Sequence, residues 1–283
     1  MTMIVVTGAT GNVGRPLVQA LAAAGEKVTA VSRRVGTAVV PAGVLTVAAD
    51  LTDPPDLRPV FDRAGALFLH GGGAGAQALK SRDILDAASS AGVGRVVLLS
   101  SQGVRTRPES ESHGVLLRSL EEAVRGSGPD WTILRPGGFN SNMYAWSESV
   151  RTRRTVVAPF GDVGMPTIDP ADIAGVAARA LREDGHAGQI YELTWSALTT
   201  PRQRAEVIGA VLGVPLRFVE QTRDEARVQM LRFMPEWAVD TTLAVLGVPT
   251  LAEQQISPAV AQILGRAPRT FADWVQDHIS AFR

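Results

Sequence analysis

Residues 3–15, Met-Ile-Val-Val-Thr-Gly-Ala-Thr-Gly-Asn-Val-Gly-Arg, decide how this chain folds. A short apolar run, Met3 to Val6, breaks into glycines at 8, 11 and 14, and an amphipathic stretch begins at once near Val13. The order reads as strand, tight turn, helix. Gly8 permits the sharp turn, Gly11 lets a diphosphate approach the backbone, and Gly14 lets the helix pack closely on the strand. Unpaired N–H groups at the helix N-terminus then face the anion, with Thr7, Thr10, Asn12 and Val13 around it. The spacing is GxxGxxG, one residue longer than the commonest dinucleotide-binding form. Its place at the head of a βαβ pattern is what gives it weight. The alternative is a glycine-rich turn that binds nothing.

Outward from this motif, apolar runs at 3–7, 27–32, 44–49, 66–70, 95–100 and 131–135 alternate with helical patterns at 13–24, 55–63, 75–92 and 112–127. The runs are near-continuous rather than alternating, which is the pattern of parallel strands covered on both faces. Right-handed crossovers then give an α/β, doubly wound parallel-sheet Rossmann fold. Ligands of such sheets bind beyond the carboxyl ends of the strands, so the loops after Thr7, Ser32, Ala49, His70, Ser100 and Arg135 are expected to line the site. After Pro136 the pattern changes. A loop-rich stretch at 137–166 precedes helical patterns at 170–183, 200–213, 223–234, 237–246 and 270–282 and a strand at 189–194. Residues 1–150 are expected to form the nucleotide-binding domain. Residues 151–283 are expected to form a smaller, mostly helical substrate domain, partly interleaved with the first.

The chain has 283 residues, 45% of them hydrophobic and 20% charged, with 28 basic and 28 acidic residues. That balance gives no electrostatic reason to expect a nucleic-acid or anionic-membrane partner. The absence of cysteine excludes disulfides and thiolate chemistry. His70, His113, His186 and His278 have no metal-binding spacing, so no metal is expected. No apolar run approaches a membrane span, and the chain enters a strand directly, so a cytoplasmic protein is the expectation.

The chain resembles the atypical short-chain dehydrogenase/reductases, in the NmrA-like branch that includes NAD(P)H-dependent quinone reductases. The pieces that carry the resemblance are TGATGNVG at 7–14, ADLTD at 49–53, VVLLSS at 96–101, a helix from His113 to Glu121, and SG.DWTILRPGGFNSN at 127–142. PFGD at 159–162, IDPADIAGVAA at 168–178 and GHAGQIYELT at 185–194 complete them. The resemblance implies a nicotinamide cofactor and a small C-terminal substrate domain. It also places Asp50 and Leu51 at the adenine edge.

After the second strand an NAD-binding site usually carries Asp or Glu for the ribose 2′-OH. This chain has Ser32-Arg33-Arg34. A guanidinium can grip a 2′-phosphate that a carboxylate would repel, so NADP(H) is expected over NAD(H). Arg33 is the first choice, with Arg34 and Arg15 in reserve; a solvated basic turn is the alternative.

Most short-chain dehydrogenases use a Tyr-x-x-x-Lys pair. Counting back from Glu121 by the family's spacing puts Arg118 at the Lys position and Gly114 at the Tyr position. The only tyrosines, Tyr144 and Tyr191, precede no Lys at that spacing. His113 is a candidate acid or base. Ser100, Ser101 and Gln102 are candidates to orient an acceptor carbonyl, with Ser100 also counted among the cofactor contacts; ordinary turn chemistry at a strand end is the alternative. Arg118 is a candidate for the cofactor ribose. The backbone of Pro136, Gly137 and Phe139 is expected along the nicotinamide, and His70 and Gly71 near the diphosphate and ribose. Asn140, Asn142, Met143 and Trp146 are expected to bind a flat apolar substrate with a few polar handles. Asp169 and Asp172 look like a carboxylate pair, yet Asp169-Pro170 reads as a helix start. The expected activity is hydride transfer from NADP(H) to a quinone or similar conjugated carbonyl. The alternatives are a non-catalytic NADP(H) sensor and an isomerase or cyclase that keeps the cofactor as scaffold. A homodimer is a possible assembly.

Overall fold

The computed structural model describes residues 2–33, 40–52, 57–71 and 79–283. In chain order its first half holds β1 (Met3–Thr7), α1 (Gly14–Ala23), β2 (Lys27–Ser32), β3 (Leu45–Ala48), α2 (Arg58–Phe61), β4 (Ala64–His70), α3 (Ser81–Ser90) and β5 (Arg95–Leu99). Then come α4 (Gly103–Thr106), a π-helical turn (Glu111–Val115), α5 (Leu116–Arg125) and β6 (Asp130–Pro136). A 3-10 segment (Asn140–Trp146), α6 (Ser147–Arg153), β7 (Thr155–Pro159), α7 (Pro170–Arg182), β8 (Gln189–Leu193), α8 (Pro201–Leu212) and β9 (Arg217–Gln221) follow. The chain ends with α9 (Arg223–Met230), α10 (Glu236–Gly247), α11 (Ala259–Leu264) and α12 (Phe271–Asp277).

The apolar runs become a seven-stranded parallel sheet in the order β3-β2-β1-β4-β5-β6-β8. Successive residues of each strand serve opposite faces. Ile4, Val6 and Phe68 pack with Leu17 and Leu21 of α1 and with Ile173 and Ala177 of α7. Val5, Leu67 and Leu69 pack with Ile84 of α3 and with Leu117, Leu120 and Val124 of α5. Both faces are therefore dry, which is why the strands carry no polar alternation. Helix α7 begins as its sequence suggests: Asp169 accepts the Ala171 N–H at 2.8 Å and Pro170 takes the first position.

Residues beyond 150 serve two assemblies. α7 and β8 join the large sheet, while α6, β7, α8, β9 and α12 surround a separate core of Trp146, Val150, Ile208, Phe271, Trp274 and Phe282. The loop expected at 137–166 is corrected: it contains the 3-10 segment, α6 and β7. Strand β7 pairs in parallel with β9 as a two-stranded ribbon. Such a ribbon is not stable alone and depends on the aromatic core beneath it, so five-residue runs gave too weak a local signal. The last helix is shorter than expected, ending at Asp277 before a 3-10 turn. No helix among the described residues is long and apolar enough to cross a membrane.

Candidate functional site

A cavity of about 730 Å³ opens at the carboxyl ends of β1, β2, β4 and β5. It lies where the winding reverses, with β2 on one side of β1 and β4 on the other, the place where such sheets bind ligands. The glycine turn forms its floor. Gly8 sits at φ +62°, and a Cβ there would lie 2.4 Å from the His70 ring. A Cβ on Gly14 would lie 2.1 Å from the Gly8 carbonyl oxygen. Gly14 thus permits the turn to close on itself, rather than the helix to approach the strand. Gly11 is exposed on the cavity side. No side chain caps α1; the Arg15 N–H is taken by the Gly11 carbonyl at 3.1 Å and Pro16 has no N–H, so the Gly14 N–H is the group of the first turn left for an anion. This cradle fits the diphosphate of a dinucleotide.

The neighbours of the turn divide between structure and site. The Thr7 hydroxyl donates to the Phe68 carbonyl at 2.8 Å and accepts the His70 N–H at 3.2 Å, which ties β1 to β4. Thr10 and Ser32 share a hydrogen bond of 2.9 Å across the cavity mouth. Asn12 donates to Ser141 at 3.0 Å, joining the turn to the 3-10 segment. Val13 is buried beneath it. Arg33 lines the cavity as an exposed lip residue, and Asp50 and Leu51 lie across from it. The Thr52 N–H and hydroxyl, both 2.9 Å from one Asp50 oxygen, hold that carboxyl below the usual carboxylate range, and the Arg33 charge adds to this. Arg34 lies outside the described residues. Arg15 is turned to the Thr10 carbonyl at 3.3 Å and does not line the cavity.

At the opposite end stand Ser100, Ser101 and Phe139. Ser100 donates to Glu121 at 2.6 Å. Ser101 accepts the Gly103 N–H at 3.1 Å, and its own O–H has no acceptor among the described residues. Gln102 is 7% exposed, and its N–H donates to the Pro136 carbonyl at 3.1 Å. Its side-chain amide lies against Gly137, within 3.5 Å of where a Cβ would stand, and has no hydrogen-bond partner among the described residues. Pro136 and Gly137 thus border Gln102 rather than the cavity itself.

Several candidates are placed elsewhere. His113 does not line the cavity; its ring bonds to Ser112 at 2.6 Å beside the Arg107–Glu253 ion pair. Burial pushes its imidazole below the ordinary value, against the pull of Glu253 and with the push of Arg107. Arg118 donates to the Pro108 carbonyl at 2.7 Å, away from the cavity. Gly71 lies under α5, where a Cβ would be 2.2 Å from Leu120. The 3-10 segment turns away from the strand ends, so Met143 and Trp146 pack into the second core. Tyr144 joins the Trp274 ring at 5.1 Å. Asn140 is buried and Asn142 is exposed, and neither lines the cavity. At Gly114 a Cβ would meet the Arg107 carbonyl at 2.2 Å, so no Tyr fits there. Tyr191 is bonded to His186 at 2.9 Å. Asp169 and Asp172 pair with Arg269 and Arg266, both at 2.7 Å, as structural anchors of α7.

Glu121 and Arg135 were missed. Arg135 donates to Glu121 at 2.9 and 2.6 Å, behind Ser100. A signal existed: the buried face of α5 is Leu117, Leu120, Glu121 and Val124, a carboxylate within an apolar stripe.

Residues 8–184 match the family model described as NAD(P)H-binding. The chain is 34% identical over 281 residues to the (4-alkanoyl-5-oxo-2,5-dihydrofuran-3-yl)methyl phosphate reductase of Streptomyces griseus, covering 99% of both chains. It is 30% identical over 286 residues to the NAD(P)H azoreductase of Xenophilus azovorans, again over 99% of both. Its fold is similar to that of the NADPH-dependent quinone oxidoreductase of Escherichia coli solved with NADPH. There the TM-score is 0.79 at 22% identity, with 98% of this chain and all of that one covered.

Proposed function

The chain belongs to the NAD(P)H-binding family, and on that footing, with its resemblance to the NmrA-like short-chain dehydrogenase/reductases beside it, we propose that it passes hydride from NADPH to an electron-poor conjugated acceptor such as a quinone. The observation that carries this reading is the polarity of the cavity. Its adenosine end has a basic lip in Arg33, suited to a 2′-phosphate, and its other end presents the neutral hydroxyls of Ser100 and Ser101, with the Gln102 amide just behind them against Gly137. NADPH, when bound on the glycine turn, supplies the hydride. Phe139 offers a flat apolar wall, while Ser101 and Gln102 orient the acceptor oxygen and stabilise charge that develops on it. Neither group is a strong acid. An acceptor whose product anion is already delocalised, as a hydroquinone monoanion or an enolate is, fits such a site because that anion can take its proton from water.

The names of the relatives support this choice. A dihydrofuranone bearing an acyl group, an azo compound and a quinone are all π-systems poor in electrons. The test is NADPH oxidation followed with a panel of quinones and acylated dihydrofuranones, alongside direct binding of NADPH. Turnover of at least one class is expected. Tight binding with no turnover across the panel would overturn the reductase reading and leave a nucleotide-sensing regulator. No binding of either nicotinamide nucleotide would overturn both.

A further inference from the structure

We infer that Glu121, held by Arg135, is a positioning residue that turns the Ser100 hydroxyl into a fixed hydrogen-bond acceptor for the nicotinamide ribose. This deepens the cofactor reading above and rests on it. Glu121 is 2% exposed, yet its two oxygens accept four hydrogen bonds: from Ser100 at 2.6 Å, from Arg135 at 2.9 and 2.6 Å, and from Arg125 at 3.4 Å. A carboxylate is acceptor-only, so the Ser100 proton must point to Glu121. What Ser100 presents to the cavity is therefore its lone pairs. Its backbone is locked as well, the N–H donating to the Leu134 carbonyl at 2.8 Å.

Position selects the partner. In the sheet order, Ser100 follows β5, two strands from the glycine turn at the end of β1. Two strand spacings are roughly 10 Å, the far side of the diphosphate cradle and not the cradle itself. A cofactor hydroxyl that needs an acceptor there belongs to the sugar between diphosphate and nicotinamide. The next serine has the opposite polarity. Ser101 accepts from Gly103 and keeps its proton for the cavity. The two neighbours thus divide the work: Ser100 receives from the cofactor and Ser101 donates to the acceptor molecule. A hydroxyl whose proton is held by a carboxylate does not serve as proton donor.

The experiment measures binding of NADPH and of 2′,5′-ADP, which lacks the nicotinamide half, to wild type, Ser100→Ala, Ser100→Thr, Glu121→Gln and the Ser100→Ala/Glu121→Gln double variant. Ser100→Ala is expected to weaken NADPH about 5- to 10-fold and leave 2′,5′-ADP unchanged. Ser100→Thr, which keeps the hydroxyl, is expected to restore most of the loss. Glu121→Gln is expected to act in the same direction, and the double variant to be no weaker than Ser100→Ala, since Glu121 works through Ser100. Equal loss of both nucleotides in Glu121→Gln would mean a merely structural role and overturn the inference, as would additive losses in the double variant. Should Glu121→Gln not fold, the Ala–Thr comparison decides: NADPH binding unchanged in Ser100→Ala overturns it. If wild type binds neither nucleotide, the cofactor reading fails first, and that result is distinct from the others.

Discussion

Arg33 and His113 show how differently two candidate residues fare once their surroundings are known. Arg33 stays exposed on the cavity lip with Asp50 nearby. Its replacement by Ala should weaken NADPH roughly 10- to 100-fold, the range of one charge-assisted contact, and leave NADH nearly unchanged. Titration of both nucleotides checks this, and equal losses would contradict a phosphate contact. His113 is removed from the cavity and partly buried, with its pKa lowered chiefly by desolvation. The unfolded chain therefore takes up its proton first as pH falls. The stability contributed by keeping this ring neutral is present above about pH 6.5 and is lost as pH falls from there toward the folded value. His113→Gln should flatten that part of the pH dependence of the urea midpoint, while kcat stays within about twofold of wild type. A large loss of kcat with unchanged stability would return His113 to the chemistry. Ser101 lines the cavity just beyond β5, while Gln102 lies behind it against Gly137 and does not line the cavity. Their neighbour Ser100 does not keep a donor's role, because its partner Glu121 comes from another element 21 residues away.

Elements with strong local signals match the sequence reading most closely. β1 and β2 have the expected bounds because both are dry on two faces and end in turns. Helix α7 was legible through Asp169-Pro170, and the structure adds that Asp169 also holds Arg269. Asp169→Ala should cost roughly 2–3 kcal/mol, one helix cap plus a mostly buried partner of an ion pair. Denaturant unfolding measures that loss, and turnover by the fraction still folded should persist. Abolished turnover at unchanged stability would instead make the Asp169–Asp172 pair a participant in the reaction. By contrast β7, β9 and α6 were not legible. Each is five to seven residues long and is stabilised by an aromatic core whose members are supplied by distant segments. The 3-10 segment misled for a related reason. Its mixture of aromatic and amide residues suits a pocket, but the direction it takes on leaving β6 sends Met143 and Trp146 into that core and leaves Tyr144 exposed against the Trp274 ring.

Across the whole molecule, the cavity is built by the large sheet, and the second core is tied to it from behind. Asn12 reaches Ser141, and Tyr144 of the same segment meets Trp274 and His278 edge-on and stacks on Phe282. Arg107 and the buried Glu253 clamp the C-terminal segment to the loop that follows Ser101 and Gln102. Trp274→Ala should cost roughly 3–5 kcal/mol by emptying the centre of the second core. Below the new unfolding midpoint it should raise KM for the acceptor more than it weakens NADPH, because Phe139 at the acceptor end leads directly into the 3-10 segment, whereas the glycine turn meets that segment through the Asn12–Ser141 bond. Isothermal binding and steady-state kinetics on the same variant separate the two effects, and a loss confined to NADPH would refute this coupling. The chain by itself determined the parallel sheet, the glycine cradle, the basic residue after β2 and the start of α7. All of these arise from patterns within about 15 residues or from strands buried on both faces. Only the folded molecule decided which polar groups face the cavity and which are already engaged. Hydrogen-bond partners such as Asn12 and Ser141, 129 positions apart, or Arg107 and Glu253, 146 apart, meet through packing that no local pattern encodes.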